Sequence, residues 1–188
     1  MADMRDIKTF YGVYLNDWSV TWGTIANGHY LLVAEYLPLD ASVVTETTWN
    51  SNGVTFIYPH NIKKNYILEG VVDGWIMMHG WSATSRISDY QVSILKIGQD
   101  ATETTLVTTP VISVNDLLWD TTLSRGTYGL YPFYMDVFES GKDINEYERL
   151  AFRVKWNVSN SSTATAKLMH DNWSADPELK INIPLILE

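Results

Sequence analysis

The stretch "LAFRVKWNV", residues Leu150–Val158, decides the fold, because apolar and polar residues alternate from Phe152 to its end. Successive side chains of a β-strand point to opposite faces of the sheet, so a period of two indicates a strand with one buried face. Every second residue from Leu150 onward is apolar, whereas Arg153 and Lys155 lie on the other face. The stretch therefore predicts a strand that packs one face against a hydrophobic core.

The same alternation closes the chain, where Leu179–Leu187 reads "LKINIPLIL". The preceding residues, "HDNWSADPE" at 170–178, offer oxygen and nitrogen donors at a density that would suit a metal site or an acid–base pair. They lack the Asp-x-Asp-x-Asp-Gly spacing of a calcium loop. Asp, Asn and Ser side chains also bond to their own backbone in turns. We therefore expect a turn that leads into a terminal strand, with the metal site as the alternative.

Short runs rich in β-branched and aromatic residues recur along the rest of the chain, separated by Gly, Asn, Asp and Pro. They predict roughly ten strands at turn-like spacing, which is typical of an all-β, two-sheet antiparallel β-sandwich of jelly-roll type. The candidate strands are Thr9–Leu15, His29–Leu37, Gly53–Tyr58, Asn65–Val72, Gly74–Trp81, Tyr90–Ile97, Thr104–Val107, Val111–Val114, Leu130–Val137, Arg149–Val158, Ala164–Met169 and Leu179–Leu187.

Turn signals refine this layout. "SNGV" at Ser51–Val54 and "VDGW" at Val72–Trp75 are the strongest hairpin signals. At most one short helix is expected, over Asp143–Phe152, where Asp143 would cap a turn with Glu146 three residues later. Four prolines lie in or beside strands and predict edges, bulges or strand ends there; they are Pro59, Pro110, Pro132 and Pro184.

Length and composition bound the class of protein. The chain has 188 residues, of which 46% are hydrophobic, enough for one domain with a buried core. We expect an N-terminal arm over residues 1–8 and a single sandwich domain over residues 9–188. The net charge of −9, without a cluster of basic residues, argues against nucleic-acid binding.

Cysteine and hydropathy exclude further classes. The chain has no cysteine, which rules out disulfides, thiol catalysis and cysteine-ligated metals. The most apolar run, "YLLVAEYLPL", has a charge at Glu35 and is too short for a membrane span. The N-terminus lacks the apolar core of a signal peptide. The expectation is a protein made in the cytoplasm, with no membrane partner and no export by a signal peptide.

Sequence motifs for chemistry are missing. None of the four histidines pairs with another at a metal-ligand spacing, and neither a Ser nucleophile elbow nor a phosphate-binding loop is found. These absences predict that the protein is not an enzyme and has no cofactor, metal or catalytic residues. Carboxylates from distant strands could still assemble a glycan-active site, which is kept as a third interpretation.

The pattern as a whole resembles the small jelly-roll decoration, cement or minor capsid proteins of tailed viruses. The likeness lies in the all-β layout, the Ser/Thr-rich strands, the hairpin "VSILKIGQDATETTL" and the finish "DPELKINIPLIL". It implies a virion structural protein of a bacteriophage that binds capsid proteins and copies of itself, as a homotrimer without a cofactor. The alternative is a carbohydrate- or receptor-binding module, for example on a tail fibre.

Two sets of residues are candidates for contact with a partner. Apolar side chains in the N-terminal segment predict an interface with a neighbouring copy or with the capsid; they are Met4, Ile7, Phe10 and Tyr11. Pairing of this segment as a strand within its own domain is the alternative. If the protein binds carbohydrate, Trp49 and Trp81 lie near loops and are the candidates for stacking on sugar rings.

Overall fold

The computed structural model describes residues 5–15, 29–34, 45–48, 53–79, 87–114, 128–158, 167–170 and 179–188. These residues form twelve strands and no helix, which confirms the all-β prediction. No helix in this part of the chain has the length and apolar character needed to cross a bilayer. The strands are β1 (Arg5–Leu15), β2 (His29–Val33), β3 (Thr45–Thr48), β4 (Val54–Ile57), β5 (Tyr66–His79), β6 (Ile87–Ile97), β7 (Glu103–Thr108), β8 (Ile112–Ser113), β9 (Tyr128–Ile144), β10 (Arg149–Val158), β11 (Lys167–His170) and β12 (Leu179–Leu187).

The strands make two layers joined along one side. Sheet A contains β9, β5, β12, β11, β3 and the first half of β1. Sheet B contains the second half of β1 followed by β2, β4, β10 and β6, with β7 and β8 both pairing with β6. All pairs are antiparallel except β2–β4, which is parallel and joined at Leu31 and Ile57. The predicted β-sandwich is confirmed.

Aromatic side chains pack the two sheets together. Phe133 of β9 stacks on Phe152 of β10, with the ring centroids 5.4 Å apart. Tyr131 of β9 meets Tyr90 of β6 edge to face at 5.6 Å. Since β9 belongs to sheet A and β6 and β10 to sheet B, these contacts lie between the layers. The alternation in "LAFRVKWNV" is also confirmed, because Leu150, Phe152, Val154 and Trp156 are all buried.

Strand β1 passes from one sheet to the other. Its residues Arg5–Tyr11 pair with β12 in sheet A, and Tyr11–Leu15 pair with β2 in sheet B. The sequence interpretation placed residues 1–8 in a separate arm. The structure differs, because Arg5–Lys8 are already part of this strand and hydrogen-bond to the domain's own terminal strand.

Strand β12 lies between β1 and β5, in the middle of sheet A. Leu179, Ile181, Ile183 and Leu185 are buried, as the alternation in the sequence predicts. Pro184 lies where the register with β5 shifts, so the proline occupies a bulge. Leu187 shares the parity of the buried residues, but it lies at the strand end and remains half exposed.

The predicted hairpin at "VDGW" is wrong. Asp73 and Gly74 lie inside β5, which continues from Tyr66 to His79 and pairs with β9 along its length. A Cβ atom on Gly74 would lie 2.1 Å from the Lys180 carbonyl oxygen and 2.8 Å from the Phe133 ring. The glycine therefore permits a close approach between neighbouring strands. An Asp-Gly pair is also typical of hairpin turns, so the sequence alone does not distinguish the two roles.

Two further local predictions are corrected. "SNGV" does not join β3 and β4 as a hairpin, because β3 pairs with β11 while β4 pairs with β10 and β2.

The helix over Asp143–Phe152 is replaced by a turn, in which the Asn145 amide donates to the Glu148 carboxylate at 2.6 Å. The chain then enters β10 at Arg149, since burial of alternate residues there outweighs a weak helix cap. The β6–β7 hairpin is confirmed, and Asp100 accepts the Thr102 amide at its tip.

Candidate functional site

The outer face of sheet A carries the candidate site. Phe133, Met135 and Val137 of β9 point into the core, so the residues between them point outward. Strand β5 buries Val72 and Ile76 and directs Asp73 and Trp75 to the same outer side. The register of β1, β12, β5 and β9 then arranges their outward side chains in rows across the four strands. We call this surface face A.

The central row of face A is polar at one end and aromatic at the other. The register aligns Thr9, Asn182, Asp73 and Tyr134 across β1, β12, β5 and β9. The Thr9 hydroxyl donates to Asn182 Oδ1 at 2.9 Å, and Asn182 Nδ2 donates to Asp73 Oδ1 at 2.8 Å. These bonds hold the amide and the carboxylate in a fixed orientation beside the Tyr134 ring.

The neighbouring row is mainly apolar. It aligns Tyr11, Lys180, Trp75 and Pro132 across the same strands. The Lys180 ammonium nitrogen lies 4.8 Å from the centroid of the Trp75 ring, within the range of a cation–π contact. Both side chains are half-buried, so the row presents rings and methylene groups beside one ammonium group.

Exposed apolar side chains concentrate on face A. Of the eight large hydrophobic residues exposed in the described part of the chain, five lie on the outward side of β1, β5 and β9. None of the eight lies on β4, β6 or β10 of sheet B. Single exposed apolar residues are ordinary, but a cluster on one sheet face marks an interaction surface. The five are Ile7 (65% exposed), Val71 (44%), Leu130 (39%), Tyr134 (70%) and Phe138 (53%).

A cleft of about 550 Å³ adjoins face A at the edge of β9. One wall is the end of β7 and the chain leading to β8, and the other is β9 itself. Most of the lining side chains are apolar, and Asp136 carries the charge at its rim. The lining residues are Val107, Thr108, Thr109, Pro110 and Ile112 on the first wall and Pro132, Phe133, Tyr134, Met135 and Asp136 on the second.

A buried tyrosine links the cleft wall to sheet B. The hydroxyl of Tyr90 donates a short hydrogen bond to the Pro132 carbonyl oxygen, at 2.5 Å. Burial raises the pKa of Tyr90 to about 12, and the neighbouring Tyr131 adds to this rise. Burial also raises the pKa of Tyr131. Both phenols thus stay protonated at neutral pH, and Tyr90 acts as a donor that fixes β9.

The described residues contain no group of three or more His, Asp or Glu side chains arranged to hold a metal ion. The turn that sequence analysis considered as a metal site, residues 171–178, lies outside the described residues. The absence of a metal or cofactor therefore stays a prediction.

The predicted interface residues fall in different places. Ile7 and Tyr11 lie on the outward side of β1, whereas Phe10 is buried in the core of its own domain. Phe10 packs edge to face on Tyr58 at 5.5 Å, so it is not available to a partner. Met4, Trp49 and Trp81 lie outside the described residues.

Sequence reasoning missed the strongest members of face A. Sequence analysis assigned no binding role to Trp75, Tyr134 or Asn182. Their outward positions depend on which face of each strand is buried, and that requires the register of four strands distant in sequence. The available signal was the alternation of residues along β9, since Tyr134 and Asp136 alternate with Phe133, Met135 and Val137 and must therefore lie on the opposite face of the strand.

Comparisons with known proteins find the fold but no family. No model of a protein family matches the chain, and no curated protein is similar in sequence. The structure is similar to a CocE/NonD family hydrolase from Staphylococcus aureus, with a TM-score of 0.59, 12% identity and 97% of this chain covered. It is also similar to an aminopeptidase from a marine sediment Thaumarchaeota archaeon, with a TM-score of 0.60, 10% identity and 94% coverage. This chain spans 37% and 36% of those two proteins.

A viral capsid protein is a weaker neighbour. VP2 of infectious bursal disease virus matches with a TM-score of 0.35 and 14% identity, over 99% of this chain and 53% of VP2. A score this low supports no argument about function.

The hydrolase neighbours correct one prediction. Sequence analysis expected that the protein is not an enzyme because the usual motifs are missing. That expectation is contradicted, since the fold of this chain occurs within hydrolase structures. The physical reason is that a β-sandwich is a scaffold used with many activities, so neither the fold nor missing local motifs exclude catalysis.

Proposed function

We propose that this chain is a structural component of a virus particle and attaches to capsid proteins through face A. The observation that carries the proposal is the concentration of exposed apolar and aromatic side chains on this face, whereas β4, β6 and β10 of sheet B expose no large apolar side chain among the described residues. The sequence resemblance to small capsid-associated jelly-roll proteins supplies the choice of a virion as the setting. Assembly as a homotrimer and location in the virion of a bacteriophage belong to the same proposal.

Energetics favour a docking role for face A. Burying a large apolar side chain is worth about 1.5–3 kcal/mol, so five of them offset a useful part of the cost of association. Aromatic residues near the centre of an interface contribute most of its binding energy. Tyr134 fits this position, because it lies between the exposed Leu130 and Phe138 on β9 and opposite Asp73 on β5.

The polar row supplies specificity. Asp73 and Asn182 are already hydrogen-bonded to each other, so they meet a partner in a fixed geometry and lose little side-chain entropy on binding. A complementary capsid surface would place apolar groups over Tyr134 and Val71 and donors near the Asp73 carboxylate.

The first test asks whether the chain is part of a particle. Mass spectrometry of purified particles should detect it in constant ratio to the major capsid protein. Purified chain should then co-sediment with particles from which it has been removed. Its absence from every particle fraction would refute the virion role.

The second test uses a matched pair of tyrosine variants. Tyr134→Ser removes the most exposed ring of face A, and Tyr147→Ser removes an exposed ring from the turn between β9 and β10. We expect co-sedimentation to fall at least about tenfold for Tyr134→Ser, which corresponds to 1.4 kcal/mol, and to remain unchanged for Tyr147→Ser. Equal behaviour of the two variants would exclude face A as the docking surface.

Glycan binding is a second candidate function, favoured by the central row itself. The exposed Tyr134 ring lies beside a carboxylate and an amide that are held in place, and sugars bind to such combinations of stacking and hydrogen bonding. Binding on a glycan array that is lost in Tyr134→Ala and in Asp73→Ala, but not in Tyr147→Ala, would favour this candidate over capsid attachment.

A further inference from the structure

We infer that the cleft beside β9 is a binding site for a short extended peptide, which adds to β9 as a further strand. This inference concerns the edge of sheet A and does not depend on the role of face A. It rests on three observations, namely the strand edge that borders the cleft, the orientation of its backbone groups and the chemistry of the lining.

The first observation is that β9 meets the cleft with its edge. Five consecutive residues, 132–136, line it, although their side chains alternate between the core and face A. A strand that met the cleft with one face would contribute only every second residue. The described strands pair with β9 on one side alone, through β5.

The second observation is the orientation of the backbone groups. Pro132 has no N–H, and its carbonyl oxygen accepts the Tyr90 hydroxyl from sheet B. Pro132 therefore occupies a non-hydrogen-bonded position opposite Trp75 of β5. Because this pattern has a period of two in an antiparallel pair, Tyr134 and Asp136 also direct their N–H and C=O groups away from β5. Among the described residues, β5 is the only strand in register with Tyr134 and Asp136, and no turn or loop hydrogen bond uses their amides.

Unpaired strand edges are templates for another strand, and proteins usually cover or block them. Pro132 blocks one end of this edge, whereas no strand in the described part of the chain pairs with Tyr134 and Asp136 on the side of the cleft. An added strand would form main-chain hydrogen bonds with these two residues and place alternate side chains in the cleft.

The third observation identifies the peptide. The five lining residues of β9 span about 13 Å at the rise of a strand, which matches a peptide of about five residues. Val107, Pro110 and Ile112 make the opposite wall apolar, so side chains directed into the cleft should be aliphatic. Asp136 is exposed at the rim and the chain carries a net charge of −9, so the outward side chains should be basic. The ligand is an extended peptide of alternating aliphatic and basic residues.

The test titrates the full-length chain with the acetylated and amidated peptide Lys-Val-Lys-Val-Lys, followed by NMR. We expect saturable shifts at residues 107–112 and 132–136, together with slower hydrogen exchange of the Tyr134 and Asp136 amides. A peptide N-methylated at every residue should bind at least about fivefold more weakly, because it loses all of its main-chain donors. A Glu-Val-Glu-Val-Glu peptide should also bind more weakly, since it places carboxylates beside Asp136.

A variant pair tests the backbone role directly. Tyr134→Pro removes both the ring and the outward amide, whereas Tyr134→Ala removes the ring and keeps the amide, so the proline variant should bind the peptide more weakly than the alanine variant. If Tyr134→Pro does not fold, the exchange rates in the unaltered chain decide. Saturable binding without protection of the two amides, equal binding of the N-methylated peptide, or no binding would overturn the inference. Protection of both amides in the chain alone, with dimers in solution, would show that a second copy takes the site and would overturn it too.

Discussion

At the scale of single residues, the sheet depends on residues whose role can be recognised only from the strands that they contact. Gly74 reads as half of a turn in the sequence, yet it lies in a strand where the Lys180 carbonyl oxygen leaves no room for a Cβ atom. Tyr90 reads as one more alternating aromatic residue, yet its hydroxyl reaches across the sandwich to the Pro132 carbonyl. In both cases the deciding contact comes from a strand distant in sequence.

Gly74→Ala should destabilise the protein by about 2–4 kcal/mol, because the new methyl group meets backbone atoms rather than a flexible side chain. Gly98→Ala is the control, since the nearest atom to its methyl group is the flexible carboxylate oxygen of Asp100, at 2.7 Å. Urea unfolding of both variants gives the comparison. Equal loss of stability in the two variants would contradict the close approach at Gly74.

The raised pKa of Tyr90 predicts that the protein becomes less stable in alkali. Burial raises the pKa of its folded state to about 12, whereas the unfolded phenol titrates near pH 10. Between these values the unfolded chain loses a proton that the folded chain keeps. The contribution of protonated Tyr90 to the free energy of unfolding is complete below pH 10. The free energy of unfolding then falls by at most about 1.4 kcal/mol per pH unit as the pH rises from 10 to 12.

Tyr90→Phe should lower stability by about 0.5–1.5 kcal/mol at pH 8, through loss of the bond to Pro132, and should weaken the decline above pH 10. Urea unfolding at pH 8 and pH 11 measures both effects. An equally steep decline in the variant and in the unaltered protein would show that Tyr90 is not responsible.

At the scale of secondary structure, the sequence predicts strands well where burial alternates strictly. Strands β10 and β12 agree with their patterns, because each faces the core on one side along most of its length. Strand β5 was divided in two, since an Asp-Gly pair outweighed the apolar residues around it. Strand β3 was not predicted, because "TETT" has no apolar alternation and depends on pairing with β11.

The terminal strand should be essential for folding. Ending the chain at residue 177 removes β12, and with it Leu179, Ile181, Ile183 and Leu185 from the core. At about 1.5–3 kcal/mol for each buried side chain, the loss is comparable to the whole stability of a typical domain. It also separates β1 from β5.

Circular dichroism and thermal melting test this prediction. The truncated chain should lack a cooperative transition, whereas removal of only Leu187 and Glu188, which are exposed, should leave the transition in place. A soluble chain that ends at residue 177 and still melts cooperatively would contradict the central role of β12.

At the scale of the whole molecule, the sandwich presents two unlike surfaces. The outward side chains of sheet B include hydrogen-bonded polar groups, such as Arg153, which donates to Thr55 at 2.7 Å and to Glu103. Face A instead exposes rings and aliphatic groups around a fixed polar row. The sequence predicted a protein that binds partners, but it could not locate the surface, because face A exists only once four strands share a register.

Side-chain footprinting on particles is the most direct test of the claim that face A is the docking surface. Hydroxyl radicals oxidise exposed aromatic side chains, and Tyr134, Phe138 and Tyr147 are all more than half exposed in the chain alone, at 70%, 53% and 52%. We predict that attachment to particles protects Tyr134 and Phe138 from oxidation and leaves Tyr147 as reactive as before. Unchanged oxidation of Tyr134 and Phe138 on particles that carry the chain would contradict the claim.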